Sequence, residues 1–171
     1  LARYRGTVVG SEKLDSKVFQ GNLFSQIDSC YAYLIEHTAL MSRLSAGIIT
    51  RDDIPEYGRF SIRELVTNAV CHRDYEDQGG KIIIKMFDDR IEFSNIGGLP
   101  RGVTAKNIIH AQYSRNPTIT SLLSKVNYIE EMGEGWDKIL EEHRQHPLQP
   151  EMPEILPGKN SVQVTIFSTK E

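Results

Sequence analysis

Between residues 61 and 94 the apolar pattern changes from a helical to a strand character, and this change limits the folds open to the chain. Ile62, Leu65, Val66, Ala69 and Val70 recur at helical spacing and predict a helix over Ser61–His72. Lys81–Phe87 and Arg90–Ser94 then read as a hairpin over Asp88-Asp89, after a linker ending in Gln78-Gly79-Gly80. A one-striped helix joined so closely to a hairpin has to bury its stripe against that sheet.

The flanking segments fit the same layer. Arg3–Gly10 reads as a short strand, and Asn22–Leu44 as a long amphipathic helix with Leu23, Phe24, Ile27, Tyr31, Leu34 and Ile35 on one face. Gly47–Thr50 is strand-sized, and Pro55–Gly58 a turn. Thr104 caps a short predicted helix to His110, and 111–116 reads as polar loop. Pro117 suits the first turn of a helix to about Val126. A further helix spans Trp136–His146. The prolines at 150, 153 and 157 predict a surface loop over 148–158. Val162, Val164 and Ile166 alternate in a last strand, Ser161–Phe167. The whole predicts an α/β (α+β) two-layer sandwich: a mixed, largely antiparallel sheet with helices on one face. Residues 1–54 pack, on this reading, onto a unit at 55–171.

The chain has 171 residues, enough for one sizeable core without disulfide or metal staples. The first residue is Leu1, no signal-peptide pattern follows, and no apolar run approaches the ~18 residues of a membrane span. The expectation is a cytoplasmic piece of a longer protein. Cys30 and Cys71 lack zinc-ligand spacing and read as free thiols of a reducing compartment. A net charge of −3 disfavours polyanion binding by bulk charge, so an anion site has to be a local pocket.

Three groups of residues carry candidate chemistry. Glu64, Asn68 and His72 recur every four residues, neighbours on one helix face. A carboxylate beside an amide oxygen suits a hard cation such as Mg²⁺, and a carboxylate there can also orient a water. The competing reading is a solvated helix face. Asn95-x-Gly97-Gly98 follows a strand, where glycine admits a planar ligand and Asn95 can hydrogen-bond it; a plain strand-to-loop turn competes. Gly133-x-Gly135 precedes a helix, where free N–H groups form an anion site; an N-cap turn competes.

Other chemistries lack their residues. There is no P-loop, no dinucleotide fingerprint, no H-E-x-x-H and no G-x-S-x-G. His143 and His146 have no neighbours in sequence to complete a metal site. His37 reads as a surface histidine, not a phosphoacceptor.

Glu64-Leu-Val-Thr-Asn68-Ala-Val-Cys-His72-Arg73-Asp74-Tyr75, Phe87-Asp-Asp-Arg90-Ile-Glu92, Asn95-Ile-Gly-Gly-Leu-Pro100, Arg115-Asn-Pro117 and Gly133-Glu-Gly135 occur in that order. Together they resemble the C-terminal ATPase-like domain of proteins labelled "putative transcriptional regulator" or "ATP-dependent DNA helicase, RecG-related". That domain is of the GHKL type, shared with the gyrase B subunit, the MutL repair protein, heat-shock chaperones and histidine kinases. The resemblance implies ATP and Mg²⁺ as ligands, Glu64 as general base, and Asn68 with Glu64 at the metal. It puts His72 and Arg73 by the phosphates or lid, Asn95 and Gly97 by adenine, Gly133 and Gly135 as a phosphate cradle, and Gly98 and Arg115 among the cofactor-binding residues. Residues 99–132 would be the ATP lid, a nucleotide-ordered switch. Larger family members carry an upstream Schlafen/AlbA-like domain, so DNA is implied as a partner through segments outside this chain, and a homodimer as the assembly. A weak ATPase is implied; a helicase motor is not, because it needs P-loop modules. Asn95 stands where the superfamily usually has Asp. The alternative is a degenerate fold kept as a non-catalytic dimerisation or interaction module.

Overall fold

The computed structural model describes residues 1–44, 51–108, 113–129 and 134–169. Helix α1 spans Leu23–His37, and the Asn22 side chain caps it by accepting from the Ser25 N–H at 2.9 Å. It ends seven residues before the predicted limit. The Thr38 N–H closes on the Leu34 carbonyl, and Ala39 pairs with Glu56: the Glu56 N–H donates to the Ala39 carbonyl at 2.9 Å, and the Ala39 N–H to Glu56 Oε2 at 2.7 Å. That pairing draws the chain out of the helix into strand β3, Leu40–Leu44, antiparallel to β4, Arg51–Pro55. The strand expected at 47–50 lies outside the described residues.

The N-terminal strand also divides. Strands β1, Ala2–Arg5, and β2, Glu12–Ser16, flank a turn that begins at Gly6, whose φ of +111° suits glycine. Val8 and Val9 sit exposed on that turn instead of in a strand.

Helix α2 is Arg59–Cys71, followed by hairpin strands β5, Ile83–Met86, and β6, Arg90–Ile96. Helices α3, Pro117–Lys125, and α4, Gly135–Gln145, precede the closing strands β7, Glu154–Pro157, and β8, Ser161–Phe167. Within the predicted proline loop, β7 is thus an edge strand, bracketed by Pro153 and Pro157. Proline is tolerated there because an edge leaves one side of the ladder unpaired. Residues 104–107 form a turn held by the Asn107 side chain on the Thr104 N–H, where a helix start was predicted; 109–112 lie outside the described residues.

The six-stranded sheet runs β2-β1-β5-β6-β8-β7, with β1 and β5 parallel and the other pairs antiparallel. Ile84, Met86, Ile91, Phe93 and Ile166 project from one face into the core, where they meet Ile62, Leu65, Val66 and Val70 of α2 and Ile27, Cys30 and Leu34 of α1. Each fully buried aliphatic side chain there contributes about 1.5–3 kcal/mol. The other face is polar: Glu92 lies between Arg90, at 2.8 Å, and Lys85, at 3.9 Å.

Candidate functional site

Helix α2 is the organising element. Besides its apolar stripe, Ser61, Glu64 and Thr67 are buried, so its polar side is not a solvated face. The burial follows from its place between α1, α4 and β6. Its N-cap, Gly58, has no side chain to offer, and Glu142 of α4 supplies one instead. The carboxylate accepts from the Phe60 N–H at 3.2 Å, the Ser61 N–H at 2.8 Å and Ser61 Oγ at 2.6 Å.

The other end of α2 is closed by side chains from three segments. The His72 N–H caps the Asn68 carbonyl. Asn95 Nδ2 donates to the Ala69 carbonyl at 2.8 Å, and Tyr75 Oη to the Val70 carbonyl at 3.0 Å. Asn116 Nδ2 donates to the carbonyls of Cys71 and Arg73, each at 2.8 Å. The last helix carbonyls are thereby satisfied without the glycine that often ends a helix.

Between α2, the inner face of β6 and β8, the 99–108 segment and α3 lies a cavity of about 640 Å³. Glu64, Asn68 and His72 line it from α2; Asn95, Gly97 and Gly98 from the end of β6; Arg115 from the entry to α3; and Gly135 with Trp136 from the start of α4. Eight of the ten residues singled out in the sequence therefore share one cavity. The remaining two do not join them here. Gly133 lies outside the described residues. Arg73 turns from the cavity, donating to the Gly80 carbonyl at 2.9 Å and stacking on Tyr75.

Glu64 is 3% exposed, and its Oε1 accepts from Asn68 Nδ2 at 3.1 Å. A Cβ added at Gly135 would lie 2.0 Å from that same Oε1, so glycine is what lets the first turn of α4 pack onto the carboxylate. The Asn68 amide directs its nitrogen at Glu64. Among the described residues no three His, Cys, Asp or Glu side chains cluster as a metal cage. Glu64 and Asn68 are the carboxylate and amide of the cavity that could hold a cation, with water and a bound anion as its remaining ligands, as for Mg²⁺. His72 is held below the ordinary histidine range by burial first and by the Arg115 charge second.

Asn95 is oriented by its neighbour. A carbonyl accepts only, so the Ala69 oxygen fixes the NH₂ end of the amide toward α2. Asn95 Oδ1 is buried, with no hydrogen-bond partner among the described residues.

Sequence reasoning passed over three contributors. Asn116 was read as polar loop, although an Asn before an N1 proline is a signal for a structured helix entry. Glu142 carries no local signal, since its partners lie more than eighty residues upstream. Trp136 was read only as the start of a helix. His37 is half-buried, stacked on Tyr33 with its Nδ1 2.8 Å from the Tyr33 carbonyl oxygen.

Comparison with known proteins supports this architecture. The DIP2311 protein from Corynebacterium diphtheriae, known from a crystal structure, superposes with a TM-score of 0.83 at 20% identity, over 98% of this chain and 34% of that one. At that identity the likeness is one of fold, and the present chain spans about a third of its neighbour. No curated protein matches the chain. A family match covers residues 79–166, which hold Asn95, the glycines and Arg115 but begin after α2. The chain belongs to the family described as "Putative ATP-dependent DNA helicase recG C-terminal".

Proposed function

We propose that the cavity binds an adenine nucleotide together with Mg²⁺, and that the domain is a nucleotide-responsive unit of a DNA-associated protein. The observation that carries this reading is Asn95 Oδ1. A buried acceptor without a partner costs about 1–3 kcal/mol, and a ligand amino group would satisfy it once the cavity wall around Asn95 gives way on binding. Adenine offers such a donor at its exocyclic nitrogen, whereas guanine offers a carbonyl acceptor at the equivalent ring position. With its own NH₂ held by Ala69, Asn95 favours adenine.

The other end of the cavity suits phosphates. Asn68 and Glu64 would hold the cation, which would supply charge neutralisation to the phosphates. The backbone at the start of α4 faces the same region. Glu64 orients a water and accepts its proton as the water oxygen bonds to the terminal phosphorus and the bond to the departing diphosphate breaks. Hydrolysis on this reading is slow and serves to reset the bound state. The wall formed by Leu99, Pro100, Val103, Ile108 and Tyr113 closes over the ligand, and closure alters how the domain meets DNA-binding segments or a second subunit.

The test is a calorimetric titration with a non-hydrolysable ATP analogue, with and without Mg²⁺. Mg²⁺-dependent binding that disappears in Asn68→Ala is the expected result, and in a parallel phosphate-release assay with ATP itself the slow turnover is expected to be lost in Glu64→Ala. No heat at millimolar nucleotide would sink the reading and favour a packing module with a vestigial cavity.

A further inference from the structure

Gly97 and Gly98 line the cavity, and the position a Cβ would take at each is filled by the protein itself. A Cβ at Gly97 would lie 2.8 Å from Arg115 Cζ and 2.9 Å from its Nη2, and a Cβ at Gly98 would lie 2.8 Å from the Lys159 carbonyl oxygen. Gly97 sits at φ +91°, and its N–H donates to the Asn160 carbonyl at 2.9 Å. The Gly97-Gly98 segment is thus gripped between the Arg115 guanidinium and the β7–β8 turn.

Arg115 reaches further. Its Nη2 donates to the Gly98 carbonyl at 2.7 Å, and its Nη1 lies 3.4 Å from Asp74 Oδ2. Asp74 is itself tied to the end of β6 by its N–H on the Ile96 carbonyl, at 3.3 Å. The next residue, Asn116, holds the end of α2 through Cys71 and Arg73. One side chain therefore joins three exits that meet at the Asn95 end of the cavity: from α2, from β6, and into α3. Both sides of its guanidinium fork have protein acceptors.

We propose that Arg115 is a positioning residue and not a phosphate ligand: its guanidinium clasps the Gly97-Gly98 backbone to Asp74 and so sets the geometry of the base-binding end. The clasp itself does not depend on what fills the cavity; its consequence for affinity rests on the nucleotide reading above. Lysine cannot replace the residue in full, because an ammonium lacks the planar fork that meets a carbonyl and a carboxylate together.

The experiment compares the full chain with its Arg115→Ala and Arg115→Lys variants by amide exchange without ligand, and by binding of adenosine and ATP. In Arg115→Ala the amides of residues 96–99 are expected to exchange about tenfold faster, the scale of one lost charge-assisted hydrogen bond. Added methylguanidinium is expected to reverse that change, and Arg115→Lys to fall between. Adenosine and ATP are expected to weaken by the same factor, because the clasp acts on the base end. Unchanged exchange in both variants would overturn the clasp, as would a loss confined to ATP, which marks a phosphate ligand. If the unaltered protein binds neither compound, the nucleotide reading fails, while the exchange result still decides the clasp. Should Arg115→Ala not fold, Arg115→Lys carries the same comparison.

Discussion

The two ends of helix α2 meet the same physical demand in opposite ways. At the start, one carboxylate from α4 satisfies two backbone N–H groups and a hydroxyl. At the finish, three neutral side chains from three separate segments each take a carbonyl. The first solution is concentrated, charged and remote from the cavity. The second is distributed, and two of its donors, Asn95 and Asn116, belong to or adjoin the residues around the cavity. On the proposed nucleotide reading the difference is functional: the start of α2 can be optimised for stability alone, whereas its finish would hold a binding geometry.

The largest effect is therefore expected at the start. Glu142→Ala leaves the Phe60 and Ser61 N–H groups without their acceptor at the positive end of a buried helix. A loss of about 3 kcal/mol is expected in urea unfolding, from more than one charge-assisted bond. Glu142→Gln retains an acceptor and should recover part of it. If Glu142→Ala unfolds like the unaltered chain, the Gly58 end is capped by water and the contrast between the two ends collapses. In the unaltered protein a Cβ at Gly58 would collide with the Glu142 carboxylate, so Gly58→Ser alone should destabilise; in Glu142→Ala that obstacle is gone, and Gly58→Ser should recover part of the loss as a local cap.

At the finish, Asn116→Ala removes the donor shared by the Cys71 and Arg73 carbonyls. The expected cost is about 1–2 kcal/mol, smaller because the lost bonds are neutral and the other caps remain. Its distinguishing sign lies elsewhere: amide exchange should rise around residues 71–75 and at the entry to α3, near the cavity, and leave the Gly58 end unaltered. Exchange rising equally at both ends would show that α2 frays as a unit and that its caps are not separate devices.

This contrast also explains what was legible in the sequence. The periodicity of α2, the β5–β6 hairpin, the alternation of β8 and the starts of α3 and α4 are written in local patterns, and the fold follows from them. The Glu64–Asn68–His72 spacing and the Asn95-x-Gly-Gly break locate the cavity for the same reason. Contacts between distant segments are not written locally. The end of α1 was misjudged because Leu40, Met41 and Leu44 continue an apolar run with no Gly or Pro to stop it, and the stop comes from Glu56 pairing with Ala39. Strand β7 was hidden by prolines that an edge position tolerates. The glycines after β6 and Arg115 were each legible as candidate site residues, but the packing of the Arg115 guanidinium against Gly97 and Gly98 was not.

The smallest expected effect separates the two ends by acid. A histidine lies at each: His72 is the C-cap of α2, and His143 adjoins Glu142. Both are held below the ordinary histidine range, each chiefly by burial; Arg115 adds to the effect at His72 and His146 at His143, while the Ile139 carbonyl and Glu142 oppose it at His143. With folded values below the unfolded one of about 6.5, the unfolded chain binds more protons as pH falls through that range. The contribution is thus fully present above pH ~6.5 and is lost as pH drops toward the folded values. Urea midpoints should fall between pH 7 and 5, and His143→Gln should flatten part of that slope. His72→Gln should flatten the remainder, and in Arg115→Lys the slope assigned to His72 should persist, because the charge beside it is kept. A slope unchanged in both histidine variants would assign the acid loss to carboxylates and remove titration as a difference between the two ends of the helix.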